Sequence, residues 1–189
     1  MRTARLLVGG AAVATLAALV IPASAASQGS GTGSAACTGA DGTLTWTPTT
    51  LWPPNHQMVP VTISYTDTDA SNDTPEMTES TAVMITGVTE TDGGTTTNAL
   101  TQPGDTLHGS GAPGSVQGPD AVLGATSAGS DPSPAATASV QLRAERAGTD
   151  GHSGGRVYAI SVSCTDSGTE MTSSGSATID VTVPHDQGQ

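Results

Sequence analysis

The sequence contains no lysine and no phenylalanine, and aromatic residues make up 2% of the chain. Its five basic residues face 17 acidic ones, which gives a formal net charge of −12. Because Lys and Arg contacts to phosphates supply most nucleic-acid affinity, this balance argues against a nucleic-acid partner. The acidic charge favours a soluble monomer. With so few aromatic side chains the core is thin, and a thin core needs an additional constraint.

Cysteine is also scarce, with Cys37 and Cys164 as the only two. An exported protein meets an oxidising environment in which such a pair closes, so we predict a disulfide between them. In the chain-entropy model a loop of about 100 residues contributes on the order of 4.7 kcal/mol. Cys164 shares the phase of Tyr158, Ile160 and Val162, so its side chain should point inward.

Only one long apolar stretch occurs, and it lies at the N-terminus. Arg2 and Arg5 precede an uncharged run from Leu6 to Ile21, which is followed by the small residues Ala23-Ser24-Ala25. This order is typical of a secretory signal peptide over residues 1–25, and the run is short for a span, which needs about 20 apolar residues. No cysteine directly follows the predicted cleavage site. We therefore expect a secreted, extracellular product that is not membrane-anchored.

Residues 26–36 are small and polar, so we expect a flexible leader there. One domain over residues 37–187 fits the remaining length. Five runs within it alternate apolar and polar residues, the period of a strand with one buried face. The residues of these runs that should face inward are Val59, Val61, Ile63 and Tyr65; Val83 and Ile85; Val140, Leu142 and Ala144; Tyr158, Ile160, Val162 and Cys164; and Ala177, Ile179, Val181 and Val183.

Two weaker strand candidates, Thr43–Trp46 and Ala121–Gly124, bring the expected number of strands to about seven. With no amphipathic helix in the pattern, the sequence predicts an all-β fold, an immunoglobulin-like antiparallel β-sandwich. Pro60 cannot donate to a ladder, so its side of the strand should be an edge or a bulge. Residues 93–137 form a Gly/Thr/Pro-rich, loop-rich insertion, either a functional loop or a mobile one with a short strand embedded.

Two segments resemble an immunoglobulin-like domain of the hyalin-repeat type found in secreted bacterial proteins. The first is Leu51-Trp52-Pro53-Pro54-Asn55-His56-Gln57-Met58-Val59-Pro60-Val61. The second runs from Gly155-Arg156-Val157-Tyr158-Ala159-Ile160 to the closing Val183-Pro184-His185-Asp186-Gln187-Gly188. The resemblance implies a non-catalytic module of extracellular proteins.

One motif points to catalysis when it is taken alone. Gly151-His152-Ser153-Gly154-Gly155 fits the G-x-S-x-G pattern of a hydrolase nucleophile. That pattern needs a strand before the serine and a helix after it, whereas here a turn precedes and a predicted strand follows. We therefore expect a glycine-rich hairpin loop and no enzymatic activity.

Acidic side chains follow the first long predicted strand. Asp67, Asp69 and Asp73 place oxygen ligands at alternate positions, the ligand type that Ca²⁺ prefers. The run lacks the glycine and the twelfth-position glutamate of an EF-hand. A looser inter-strand Ca²⁺ site, with Glu76 or Glu90 added, and a solvated turn remain as alternatives. No other cofactor is expected.

The four histidines lack the short spacing of metal sites, so no zinc site is predicted. His56 follows Asn55 at a predicted strand end, where it should cap backbone groups. Arg143 and Glu145 should share a strand face opposite Leu142, and Arg156 begins the next strand. Cross-strand ion pairing, worth little if exposed, and an anchor for a carboxylate partner are the two interpretations.

The expected function is a secreted, non-catalytic binding or structural module. It would contact an extracellular protein or a cell-envelope surface through strand edges or through the insertion. The alternatives are a secreted protease inhibitor that presents a loop and a Ca²⁺-stabilised adhesion-type module. An inhibitor loop is usually short and pinned by nearby disulfides, and the insertion contains no cysteine.

Overall fold

A computed structural model describes residues 29–67, 80–92, 94–101, 118–130, 135–145, 155–168 and 172–184. Across these residues the fold is all-β, as predicted, and its two sheets form a sandwich compatible with an immunoglobulin-like arrangement. None of the described residues forms a helix long and apolar enough to cross a membrane. The strands are β1 (Gly29–Ser30), β2 (Gly33–Ala36), β3 (Gly42–Thr47), β4 (Thr50–Leu51), β5 (Met58–Asp67), β6 (Ser80–Asp92), β7 (Thr95–Asn98), β8 (Ala121–Ser127), β9 (Gly129–Ser130), β10 (Ala135–Arg143), β11 (Arg156–Ser167) and β12 (Thr172–Val183).

The larger sheet has seven strands in the order β1-β4-β12-β11-β6-β7, with β9 paired to β6. The smaller sheet has five in the order β2-β3-β5-β10-β8. All described pairings are antiparallel except a short parallel contact between β4 and β12. β11 lies inside the larger sheet, hydrogen-bonded to β12 on one side and to β6 on the other.

The core lies between the sheets and is built from alternate strand residues. In β5, Val61, Ile63 and Tyr65 are fully buried while Thr62 between them is exposed. The same period holds in β10, β11 and the second half of β12. The five predicted alternating runs are therefore strands, and the two weaker candidates are β3 and β8.

The remaining strands were not predicted, and two of them lie in residues 26–36, the expected leader. β1 and β2 fall within residues 26–36, where the sequence predicted flexibility. β2 pairs with β3, and Gly33 lies so close to the Trp46 ring that a Cβ there would sit 2.2 Å from it. Small residues are therefore what lets this strand lie against the indole. The 93–137 insertion likewise contains more than one short strand, namely β7, β8, β9 and the start of β10.

A bulge in β6 changes which of its residues face inward. The register against β11 slips between Ser161 and Val162, and Thr86 is the extra residue. Before it the buried residues include Val83 and Ile85, and after it Val88 and Glu90. Such an insertion moves every following side chain to the other face of the sheet.

Pro60 is accommodated where the smaller sheet narrows. The β3–β5 ladder ends at the pair Thr47 and Thr62, so it does not extend to Pro60. On the other side Pro60 lies opposite Gln141 of β10. Along the β3 side this residue is at a local edge, which is the place where a proline is tolerated.

The predicted disulfide is present. Cys37 and Cys164 are joined across a sequence separation of 127, and both are buried. Cys37 directly follows β2 of the smaller sheet and Cys164 belongs to β11 of the larger one. The bond therefore links the two sheets at one end of the sandwich.

Candidate functional site

Charged side chains gather inside the opposite end of the sandwich. Seven residues form this ionic cluster, and all of them are buried: Glu90, Asp92, Asp120, Arg143, Glu145, Arg156 and Tyr158. The cluster draws on both sheets, since β6 and β11 belong to the larger sheet and β10 to the smaller one. Two arginines and four carboxylates in a buried site are rare outside ion-pair networks and functional sites.

The strands place these side chains through the same alternation that builds the core. Arg156 and Tyr158 are inward residues at the start of β11. The bulge at Thr86 turns Glu90 and Asp92 inward at the end of β6. Without that extra residue both carboxylates would face solvent, because the period of a strand is two.

Arg156 is the centre of the cluster. Its Nη1 lies 3.3 Å from Glu90 Oε2, 3.2 Å from Asp120 Oδ2 and 3.4 Å from the Tyr158 hydroxyl. Its Nη2 donates to Asp92 Oδ2 at 3.5 Å. One guanidinium therefore contacts carboxylates from β6 and from the segment that precedes β8, so it bridges the two sheets.

Arg143 fastens the segment before β8. Its Nε donates to Asp120 Oδ1 at 3.0 Å and its Nη2 to the Pro119 carbonyl at 3.1 Å. Its backbone N–H donates to the Asp120 carbonyl at 2.8 Å. Asp120 is thus held by side chain and backbone together, and its second carboxylate oxygen is bound by Arg156.

Arg143 and Glu145, for which the sequence predicted ion pairing of little worth if exposed, are both buried. Arg143 is 4% exposed and Glu145 is 3% exposed. Glu145 Oε2 lies 3.9 Å from both Arg143 Nε and Arg156 Nη1. β10 ends at Arg143, so the alternation of the ladder does not extend to Glu145. The expected ion pairing is present, but inside the molecule.

The loop with Asn55 and His56 closes over this end. His56 adopts φ 62°, and its N–H donates to the Ala144 carbonyl at 2.9 Å. Its carbonyl accepts from Arg143 Nη1 at 3.2 Å, and Asn55 Oδ1 accepts from the Gln57 N–H at 3.1 Å. These hydrogen bonds use the backbone of His56, so a capping role for its side chain stays a prediction. Its side chain is 58% exposed, with Nδ1 3.6 Å from Glu145 Oε1.

The electrostatics of the cluster favour a bound proton. Burial raises the pKa of Glu90 from 4.5 to about 7, against the opposing pull of Arg156. Asp120 adds to this rise through its charge and through a hydrogen bond to the Glu90 carboxyl. Near pH 7 the Glu90 carboxyl is therefore partly protonated.

At the centre of the cluster, Arg156 stays positively charged and Tyr158 stays neutral. Burial disfavours the charge of Arg156, but Tyr158, Glu90 and Asp120 outweigh it and raise the pKa of Arg156. Burial raises the pKa of Tyr158 even though Arg156 opposes the rise. The Tyr158 hydroxyl therefore stays neutral near pH 7 and donates to the Arg143 carbonyl at 2.9 Å.

The predicted Ca²⁺ ligands are placed only in part. Asp67 is the last residue of β5 and is buried, while Asp69 and Asp73 lie outside the described residues. Asp67 pairs with Gly42 near the disulfide end, whereas Glu90 pairs with Tyr158 at the ionic end, so these two carboxylates do not meet. Over the described ranges no group of three His, Cys, Asp or Glu side chains is arranged to hold a metal ion. The Ca²⁺ site stays a prediction.

A second feature lies on the surface, at the open side of the smaller sheet. Among the residues that the structure describes, β8 is the edge strand there, and its one paired neighbour is β10. Val122 is 44% exposed and Leu123 is 50% exposed, and no residue of Ala121–Ser127 carries a charge. We call this strand with its unpaired side the β8 edge. Natural proteins usually protect such edges with charges, proline or a covering element.

Sequence patterns missed Asp92 and Asp120 as members of a site. Asp120 follows Gly118-Pro119 inside the insertion, and no local pattern connects it with Arg156. Gly87 was the available signal for the Glu90 and Asp92 pair, because a glycine inside a strand pattern often marks a bulge. A bulge at that glycine shifts the alternation by one residue, which predicts that both carboxylates face inward.

Searches with protein-family models, among curated proteins and among solved structures find nothing that matches this chain.

Proposed function

We propose that the chain is a secreted, non-catalytic binding module that contacts an extracellular protein or a cell-envelope surface through the β8 edge. The observation that carries this proposal is the pair of exposed apolar side chains, Val122 and Leu123, on an uncharged edge strand. Export is supported by the signal-peptide pattern of residues 1–25 and by the closed disulfide.

Recognition at an edge strand uses the backbone as well as side chains. The outer side of β8 has no strand paired to it among the described residues. An extended segment of a partner can add to such an edge through main-chain hydrogen bonds, while neighbouring pockets or side chains give specificity. The acidic net charge of −12 favours a partner segment with basic flanks.

The burial of the ionic cluster supports a non-catalytic role. Its arginines are 3% and 4% exposed, and its carboxylates are equally enclosed. Groups that act on a substrate must reach it, whereas these groups contact one another across the two sheets. Such a site suits a scaffold that holds an edge strand in place.

The proposal is tested by adding a charge to the edge. Lysine on an edge strand opposes addition of another strand. Val122→Lys and Leu123→Lys should each lower the capture of the partner from the producer's envelope fraction by about tenfold, equivalent to about 1.4 kcal/mol. Thr62→Lys is the matched control, since Thr62 is exposed but lies on β5 where that strand is paired on both sides, with Thr47 of β3 and with Ser139 of β10.

The measurement is affinity capture on immobilised mature protein, with bound protein quantified for each variant at equal loading. Reduced capture by both β8 variants with unchanged capture by Thr62→Lys is the expected result. Equal capture by all four proteins would contradict a role of the β8 edge. An unmodified protein that retains nothing above a blank surface would contradict a binding role altogether.

A further inference from the structure

The ionic cluster brings four carboxyl groups together in a buried site. Glu90, Asp92, Asp120 and Glu145 are all buried, and the arginines buried with them among the described residues are Arg143 and Arg156. Carboxylates held close together in a buried site disfavour one another's ionised form. Proteins commonly relieve such repulsion by taking up a proton.

Geometry indicates where that proton resides. Glu90 Oε2 and Asp120 Oδ2 both contact the same nitrogen, Nη1 of Arg156, at 3.3 and 3.2 Å. Two carboxylates that share one site repel each other, which favours the protonated form of one of them. The raised pKa of Glu90, about 7, is consistent with this position.

The groups around Glu90 come from every element packed on it. Asp92 lies on the same strand, and Thr97 of β7 donates to Glu90 Oε1 at 3.1 Å. β11 contributes Arg156 and Tyr158. Arg143, Glu145 and the exposed His56 complete the set from the end of β10 and the loop before β5. None of these neighbours places a further positive charge within the described contacts of Glu90.

The arginines of the cluster hold the short segment Gly118–Asp120, which directly precedes β8. Both arginines bind the Asp120 carboxylate, and Arg143 also binds the Pro119 carbonyl. One residue further on, the Ala121 N–H donates to the Ala99 carbonyl at 3.0 Å. The start of β8 is therefore fixed through contacts that depend on the charge state of the cluster.

We propose that the ionic cluster is a proton-dependent latch: while the Glu90 carboxyl is protonated, the arginines hold Gly118–Asp120 against the sandwich, and loss of that proton loosens this segment and the start of β8. The step releases one proton from the Glu90 carboxyl to solvent and leaves a carboxylate. Loss of the proton shifts the equilibrium between the closed and the locally opened form of Gly118–Asp120 towards the opened form. The inference rests on the cluster alone and does not require the binding role proposed for β8.

The sign of the effect follows from linkage. A carboxyl whose pKa is raised in the folded state binds its proton more tightly than in the unfolded chain, so the stability it contributes is complete below about pH 4.5 and is lost as pH rises to about 7 and above. Glu90→Gln mimics the protonated form and should abolish this loss. Relative to the unmodified protein, its unfolding equilibrium constant should fall roughly 100-fold between pH 4.5 and pH 8.

The control is Asp180→Asn, which removes an exposed carboxylate of β12. Unfolding in denaturant at a series of pH values gives the equilibrium constants. A relative change of about tenfold or more for Glu90→Gln, absent in Asp180→Asn, supports the latch. A smaller change, or an equal one in both variants, overturns it.

Hydrogen exchange localises the opening. The amides of Ala121 and Arg143, which donate to Ala99 and Asp120, should lose protection between pH 5.5 and pH 8 in the unmodified protein but keep it in Glu90→Gln. Protection that is equal at both pH values in the unmodified protein would overturn the latch. Amides of β11 near Cys164 provide the internal reference.

A measurement on the unmodified protein tests the proposal even if Glu90→Gln does not fold. The sequence holds five glutamates, which are few enough to resolve by carbon NMR of their side-chain carboxyls. A Glu90 resonance that titrates near pH 7 supports the proposal. Titration of all five below about pH 5, the ordinary range, would overturn it.

Discussion

The two ends of the sandwich are joined in different ways, although β11 supplies a residue to both. At one end Cys164 is bonded to Cys37, and at the other Arg156 binds carboxylates from β6 and from the segment before β8. At about 3.3 Å per residue, these two points lie about 26 Å apart along the strand. One strand therefore carries a covalent and an ionic connection between the same two sheets.

The disulfide acts mainly on the unfolded chain, whereas the ionic cluster acts on the folded protein. The disulfide constrains the unfolded chain, so in the chain-entropy model its contribution does not depend on the protonation of any carboxyl. The ionic cluster exists only in the folded protein, where its strength depends on how many carboxyls are charged. A thin core with few aromatic residues is thus stabilised by a disulfide whose contribution is independent of pH and by an ionic cluster whose contribution we propose to depend on pH.

The largest effect is expected at the disulfide end. Cys37→Ala combined with Cys164→Ala should lower the free energy of unfolding by about 5 kcal/mol, because the bond closes a loop with a sequence separation of 127. The loss should be the same at pH 5 and pH 8. Denaturant unfolding of the variant and of the oxidised protein measures it. A loss below about 1 kcal/mol would mean that the unfolded chain is already compact without the bond.

The next effect is expected at the ionic end. Arg156→Met leaves Glu90, Asp92 and Asp120 without their shared counter-ion and should lower the free energy of unfolding by about 4 kcal/mol at pH 8. The loss should shrink towards pH 5, because the carboxyls can then take up protons. Arg156→Lys keeps the charge without the planar fork and should lose less. A loss for Arg156→Met that is equal at both pH values would remove the contrast between the two ends.

The disulfide end could be predicted from the sequence because its determinants are local. Strict alternation in β11 places Cys164 on the face of Tyr158 and Ile160, and only one other cysteine exists to meet it. The same alternation predicts β5, β10 and β12, since each has one face on the core. Local periodicity is sufficient wherever a strand is regular along its whole length.

The ionic end could not be predicted in the same way because most of its members depart from that regularity, although Arg156 and Tyr158 follow it. Glu90 and Asp92 follow the bulge at Thr86, Arg143 lies where β10 ends, and Asp120 precedes β8 in a segment with no period. Their proximity depends on where strands stop and slip, which residue spacing does not encode. Polar residues at such irregular points are where a sequence and its fold most often appear inconsistent.

The smallest of the three effects separates hydrogen bonding from charge within the ionic end. Tyr158→Phe removes the hydroxyl that donates to the Arg143 carbonyl, which keeps its second hydrogen bond from the Glu145 N–H, so the free energy of unfolding should fall by about 1 kcal/mol. Because burial raises the pKa of Tyr158, the hydroxyl stays neutral from pH 5 to pH 8 and this loss should be constant, as at the disulfide end. Combined with Arg156→Met the losses should not add, with a coupling of at least about 0.5 kcal/mol, since the hydroxyl lies 3.4 Å from Arg156 Nη1. Denaturant unfolding of the two single variants and the double variant measures both quantities. A loss that grows with pH would instead show that Tyr158 acts on the charged carboxylates, and that every contact of this end responds to pH.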